Sequence, residues 1–421
     1  MLDAVITAFK LPDLRKKIIY TLVLLGIYRM GVFIPVPGID AARLVNSDLF
    51  NKGDILQLLN MFGGGALKNF SIFALGVNPY ITASIVMQLL TIVIPSLERL
   101  AKEGVEGRKI ISQYVRYATI LIGIVQAIGF LTLFRGAIQP DTFFNRFLIV
   151  IVWTAGSMFL MWLGEKITEH GIGNGVSLII FAGIVSQFTS IFSGFNLTGE
   201  GGIPVLGFIL TIVTWILMIG GIVIIQQAER KIPVQYAKRV VGRKMYGGQT
   251  THIPMRINQA GVMPVIFANA IVMVPAMIAR MFPTNGIAKW IGRYFGYGAL
   301  ANITVEAIMV FLFTYFYTAV TFNPVEVADN MKKYSGFIPG IRPGKPTADY
   351  LDRVLSRITF AGALFLVALT LTPFLGGLFH FQRGGYLLGG TGLLIVVGVA
   401  LDTMKQIESH LLMRQYQGFI T

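Results

Sequence analysis

The sequence predicts an all-α polytopic membrane protein, with ten transmembrane helices in two pseudo-symmetric halves of five around a central pore, and three observations carry the helical part of that prediction. Of the 421 residues 54% are hydrophobic and only 13% charged, with a mean hydropathy of +0.69, which is too apolar for an ordinary soluble globule. Ten apolar stretches have the roughly 17 to 25 residues that a hydrocarbon core of about 30 Å requires. The basic residues, finally, are divided unevenly among the segments between those stretches.

In chain order the expected spans are 18–34, 74–95, 110–134, 147–164, 174–192, 204–225, 261–279, 303–322, 358–376 and 386–404. The first follows an amphipathic, charged start and is long enough to stay in the bilayer, so no cleavable signal is expected. The second is the unusual one. It is approached through Gly63-Gly64-Gly65 and opens on Gly76-Val77-Asn78-Pro79-Tyr80-Ile81-Thr82, then carries Ser84, Gln88 and Thr91. Backbone breakers and a polar stripe are costly in lipid unless protein or a water-filled cavity lies beside them, so this stretch is read as lining a pore. The fifth span follows a second breaker, Gly171-Ile172-Gly173-Asn174-Gly175.

An even number of spans puts both termini on one side. The segments sharing the N-terminal side hold 24 lysines and arginines against 9 on the opposite side, with Arg29 and Arg116 inside spans completing the 35. That asymmetry predicts cytosolic termini. It also accounts for the net charge of +15 without invoking nucleic acid. Two cytosolic segments, 226–259 and 324–357, are longer than a tether needs and are strongly basic. They anchor the neighbouring spans, dock a large acidic or RNA-rich partner, or do both. The five-plus-five division suggests two inverted halves, 1–203 and 204–421, with a cavity between them.

The chemistry that is missing narrows the function. There is no cysteine, and His170, His252, His380 and His410 all fall in loops or near span ends, which leaves no intramembrane nucleophile and base in one layer. Arg29, Arg116, Glu306 and Asp402 lie toward span ends, whereas an ion-coupled transporter usually keeps a charge at the midplane. No phosphate-binding loop is present, so nucleotide energy would come from a partner, and neither cofactor nor metal is expected. Beside the two breakers, Val77 with Ile81 and Val176 with Ile180 repeat a four-residue spacing on one helical face. Such pairs serve either ordinary interhelical packing or an apolar constriction that blocks ions by dewetting.

Seven motifs, in order, resemble the SecY family, the central channel subunits of the bacterial Sec protein-translocation complex. They are Phe33-Ile34-Pro35-Val36-Pro37-Gly38-Ile39-Asp40, Asn60-Met61-Phe62 before the glycine triplet, Pro79-Tyr80-Ile81-Thr82-Ala83-Ser84-Ile85, Trp162-Leu163-Gly164-Glu165 leading into Gly171 to Gly175, Tyr236-Ala237-Lys238-Arg239, Phe322-Asn323-Pro324 and Pro339-Gly340-Ile341-Arg342-Pro343-Gly344. The resemblance runs from about Leu14 to His410.

It implies a passive channel with no enzymatic activity, passing unfolded secretory polypeptides across the plasma membrane and releasing transmembrane segments sideways into lipid. A pore ring of Val77, Ile81, Val176, Ile180, Ile266 and Ile395 is implied, with valine at Val77 and Val176 where isoleucine is familiar. A plug in the form of a short helix is implied over about 55–70, including Asn60, Met61 and Phe62, with Gly63, Gly64 and Gly65 as its flexible base. Thr82, Gln126 and Asn258 match a lateral gate, and Arg243, Lys244, Lys332, Lys333 and Arg342 match docking positions for the SecA motor ATPase or the ribosome. Further implied partners are SecE, SecG, signal-sequence-bearing polypeptide substrates and membrane lipids.

Overall fold

The structure is a computed structural model that describes residues 9–39, 60–134, 138, 142–193, 205–236, 239–241, 244–246, 250–281, 286–294, 299–378 and 389–417. Helix α1 is Pro12–Gly31, α2 Asn78–Val93, α3 Pro95–Lys102, α4 Val105–Leu133, α5 Phe143–His170, α6 Gly175–Ser193 and α7 Val205–Gln227. Strands β1 Glu229–Tyr236, β2 Arg239–Val241, β3 Lys244–Tyr246 and β4 Thr250–Arg256 follow. The chain continues with α8 Met263–Met281, α9 Gly286–Tyr294, α10 Leu300–Thr321, α11 Pro324–Lys333, β5 Gly336–Phe337, α12 Lys345–Leu378 and α13 Gly390–Gln417.

Each of the ten expected spans coincides with a helix: α1, α2, α4, α5, α6, α7, α8, α10, α12 and α13. Among the described residues five regions are long and apolar enough to cross a membrane by themselves, namely Val105–Thr132, Phe143–His170, Leu300–Lys333, Lys345–Thr372 and Gly390–Met413. Shorter apolar stretches lie in α6, α7 and α8. Helix α1 is diluted by Asp13, Arg15, Lys16 and Lys17 in its opening turns.

The second span departs from expectation at both ends. Its helix begins at Asn78 rather than residue 74, with Pro79 in the first turn, where a missing N–H costs nothing and a fixed φ favours the helix. Asn78-Pro79 is thus a start signal more than a breaker. At the other end Ile94 is extended (φ −99°, ψ 111°), as the residue before a proline tends to be, and the axis turns by 102° into α3.

The approach to that helix is not helical either. Of the stretch expected as a short helix over 55–70, residues 55–59 lie outside the described residues, and beyond Asn60–Phe62 the chain runs in turns. Gly64 (φ +64°) and Gly65 (φ +92°) occupy the left-handed region, where a helix cannot continue and a Cβ would be strained.

The two long basic loops are not separate. β1 pairs antiparallel with β4 from Glu229↔Arg256 to Gln235↔Thr250, and β1 also takes β5 at Gln235↔Phe337 and Tyr236↔Gly336. Residues from both loops and from α12, including Ile232, Val234, Met255, Met331, Ile338 and Leu351, close over one apolar core. A single platform therefore caps the bundle. The all-α expectation holds for the spans and omits this sheet, although alternation in Lys231-Ile232-Pro233-Val234-Gln235 carries the strand period. The bundle's main core joins α1, α2, α5 and α6 to α8, α10, α12 and α13, so the two halves share one apolar interior.

Candidate functional site

Along the bundle axis, three features stack: a polar vestibule at the platform end, an apolar collar, and a seated loop at the far end. The vestibule is a cavity of about 550 Å³ whose wall includes Asn174, Gln226, Arg256, Asn258, Gln259 and Asp402. Most of its lining comes from α7, α8, α10 and α13 in the second half of the chain.

The collar follows. Ile81 on α2, Ile180 on α6 and Ile266 on α8 surround a cavity of about 20 Å³ together with Phe62, Asn78, Asn269 and Ala270. That is room for about one water molecule. Val77 and Ile395 are buried in the same apolar cluster, and Val176 packs against it half-buried. All six residues expected to form a ring thus fall in or against one core, and three converge directly on this small cavity.

The loop of residues 60–77 sits against the far side of the collar. The Arg29 guanidinium donates from Nη1 to the Gly64 carbonyl oxygen at 2.6 Å and lies over the Phe33 ring, 4.9 Å from its centroid. The Tyr28 hydroxyl donates to the Gly63 carbonyl oxygen at 3.1 Å. On α5, the Ser157 hydroxyl donates to the Gly76 carbonyl oxygen at 3.0 Å, and Gly156 leaves space only for the Ile72 carbonyl. On α6, a Cβ at Gly183 would come within 2.7 Å of the Phe62 carbonyl oxygen. Met61 reaches Gly392, where its Cε would lie 3.3 Å from an added Cβ. The glycine triplet is therefore held on several sides. Arg29 is recognisable in the sequence as a charge within a span, whereas its partner is not, because Gly64 lies 35 residues away.

The expected seam residues are less directly joined. Thr82 spends its hydroxyl on the Asn78 carbonyl oxygen of its own helix, and Asn258 donates to the Gly261 carbonyl oxygen three residues on. Among the described residues no hydrogen bond links Thr82 or Gln126 to α8. Across that seam α8 packs against α2 and α4. Next to it, Arg116 on α4 makes a two-pronged ion pair with Glu165 on α5, at 3.1 and 2.8 Å.

The connection from Gly171 to Gly175 is tied to three helices. The Ile172 N–H donates to Thr21 Oγ1, the Gly173 N–H to Gln406 Oε1 and the Gly175 N–H to Thr168 Oγ1. On the platform, Lys332 and Lys333 end α11 exposed, and Asn323 caps that helix by accepting from the Val325 and Glu326 N–H groups. Arg342 is exposed on a turn flanked by Gly340 (φ +81°) and Gly344 (φ +101°), with its carbonyl fixed by the Thr347 hydroxyl at 2.8 Å. Lys244 lies in β3, and Arg243 lies outside the described residues.

The SecY family model matches residues 71–404, which include the collar helices and the whole platform. The chain belongs to the SecY family. It is 45% identical to the protein translocase subunit SecY of Thermus thermophilus, covering 100% of this chain and 98% of that one. The SecY of Streptomyces coelicolor is 46% identical with full coverage of both chains. Among solved structures, the fold is similar to one described as a protein conducting channel, with a TM-score of 0.64, 22% identity and 93% and 91% of the two chains covered. Sec61 in a canine ribosome-channel complex gives a TM-score of 0.60 at 22% identity, with the same coverage. The fold is thus the ten-helix SecY channel architecture.

Proposed function

We propose that this SecY family member is a passive protein-conducting channel for unfolded secretory polypeptides, with lateral release of transmembrane segments into lipid. The observation that carries the pathway is the convergence of Ile81, Ile180 and Ile266 with Phe62 on a cavity of about 20 Å³, between a 550 Å³ vestibule and the seated loop. A wet mouth, a dry neck and a movable stopper are what a resting channel needs to hold ions back while remaining able to admit a chain.

In this reading Val77, Ile81, Val176, Ile180, Ile266 and Ile395 form a gasket of branched apolar side chains that adapts to a passing polypeptide. The plug is the stretch of about residues 55–70, whose described part, from residue 60, is seated by Arg29, Tyr28 and Gly183. The halves 1–203 and 204–421 part at the seam where α2 and α4 meet α8, near Thr82, Gln126 and Asn258, so that a signal helix can intercalate. Both termini and the platform face the cytosol of a bacterium, where Lys244, Lys332, Lys333 and Arg342 offer basic contacts to a ribosome or to the SecA ATPase. SecE and SecG complete the membrane assembly. The platform's rigidity supports this assignment: one sheet and one apolar core fix both basic loops relative to each other. The channel itself contributes no catalysis.

The test is site-specific cross-linking. With a secretory chain arrested in transit, photoreactive side chains at residues 81, 180 and 266 should all capture it, while probes on the lipid-facing Leu121 and Leu217 should not. Capture by the outward probes and not by the collar would overturn the pathway.

A further inference from the structure

The apolar collar contains two side-chain amides that a purely apolar neck would not need. Asn78, in the first turn of α2, and Asn269, on α8, line the same cavity of about 20 Å³ as Ile81, Ile180 and Ile266. Asn269 is only 8% exposed, and Asn78 is half-buried. The Thr82 hydroxyl bonds the backbone carbonyl of Asn78 and leaves its side chain alone. Among the described residues neither amide has a hydrogen-bond partner, although each carries an acceptor oxygen and two N–H donors. Amides enclosed by branched apolar side chains are costly to leave unpaired, so the pair points to a ligand small enough to share the cavity with them.

The size of the cavity selects that ligand. A buried water needs about 10 to 15 Å³ of such space and two to four polar contacts, which this cavity and these two amides supply. A hard cation would need about six oxygen ligands or more, and the side chains of Phe62, Ile81, Ile180, Ile266 and Ala270 in the rest of the wall offer none. The two amides also stand on opposite sides of the molecule's seam. Asn78 belongs to the first half of the chain and Asn269 to the second, on the two helices α2 and α8 that pack against each other there.

We propose that one water molecule is bound in the collar between Asn78 and Asn269 and ties α2 to α8 across the seam. The site needs only this geometry; its role as a catch on the resting seam rests on the channel reading above. A water bridge is nearly as good as a direct hydrogen bond, and when the helices part each amide is free to take water of its own, so the catch releases without leaving a broken pair behind. Phe62, from the seated loop, walls the same cavity, so the water is enclosed on that side only while the loop is seated. One isolated water provides no continuous file, and the neck still holds ions back.

The test uses the full chain assembled with its small membrane partners, idle and without substrate. A map of that assembly at a resolution that shows ordered water should contain one water within hydrogen-bond distance of both amides. Amides bonded directly to each other, or no water between them, would overturn the proposal. The strength of the catch is read separately. The chain has no cysteine, so Val86→Cys on α2 and Val274→Cys on α8, both at exposed positions, take spin labels whose separation reports the seam. While the open seam is the minor state, Asn78→Leu and Asn269→Leu, which keep nearly the same shape, should each raise its fraction about fivefold, and the double variant no further than either alone, because one water serves both. No rise in either variant, or effects that multiply in the double variant, would overturn the proposal. Should Asn78→Leu fail to assemble, Asn269→Leu and the map decide without it. Neither measurement involves a substrate, so an arrested secretory chain that never reaches residues 81, 180 and 266 would overturn the channel reading and leave the water in place, and the two failures are distinguishable.

Discussion

Replacing Arg29 by leucine should unseat the loop of residues 60–77. The guanidinium of Arg29 donates to the Gly64 carbonyl oxygen at 2.6 Å, part-buried, and a hydrogen bond to a charged group of this kind contributes about 1.5 to 3 kcal/mol. Taking about 2 kcal/mol, the ratio of seated to unseated loop falls roughly 30-fold, since 1.36 kcal/mol corresponds to a factor of ten. If the seated loop is what closes the far side of the collar, the steady ion leak of idle channels rises with the unseated fraction. The assay is ion flux from vesicles containing the assembled channel without substrate. Three variants grade the effect. Arg29→Lys keeps a cation with poorer geometry and should leak less than Arg29→Leu, while Tyr28→Phe removes only the hydroxyl bond to Gly63, worth about 1 kcal/mol, and should leak about fivefold more than the parent if the open fraction is small. Gly183→Val attacks the same seat from α6, because even its Cβ would lie 2.7 Å from the Phe62 carbonyl oxygen. Leakage in Arg29→Leu and Gly183→Val no greater than in the parent would refute the seat, and with it the plug.

Other outcomes follow from the same geometry. Arg342→Glu should abolish transport driven by the motor while leaving co-purification of the small membrane subunit intact; undiminished transport would remove Arg342 from docking. Leu351, fully buried in the platform core, should cost about 2 to 5 kcal/mol when cut to alanine, and hydrogen exchange should accelerate in β1 and β4 while the collar helices stay protected. The Arg116–Glu165 pair is partly exposed, with side chains 48% and 25% accessible, so Glu165→Gln should lower stability by no more than about 1 kcal/mol in thermal unfolding of the solubilised complex.

How much of this was legible without coordinates differs from element to element. The spans were legible because a bilayer imposes one length and one polarity on every crossing, and the exposed Leu121 or Leu217 needs no tertiary partner to announce a lipid environment. The start of α2 was only partly legible: Pro79 marks a helix terminus, but the same residue reads as a breaker until its neighbours are known. The platform was the main omission. Only two alternating buried positions, Ile232 and Val234, hinted at β1, and β5 is two residues long, too short to carry any period at all. The anchors of the loop of residues 60–77 were invisible for a different reason, since Arg29, Ser157 and Gly183 come from three helices spread over more than 150 residues.

What the sequence by itself determined is the class, the number and order of spans, the uneven charge and, through ordered motifs, the family. Each of these is a property of local composition or of short contiguous runs, read directly by lipid or by backbone dihedrals. Only the tertiary structure decided that Ile81, Ile180 and Ile266 share one cavity with Phe62, and that two basic loops form one sheet. Those depend on which helix faces pack together, and in a membrane nearly every face is apolar, so the pattern along the chain does not say which face turns inward.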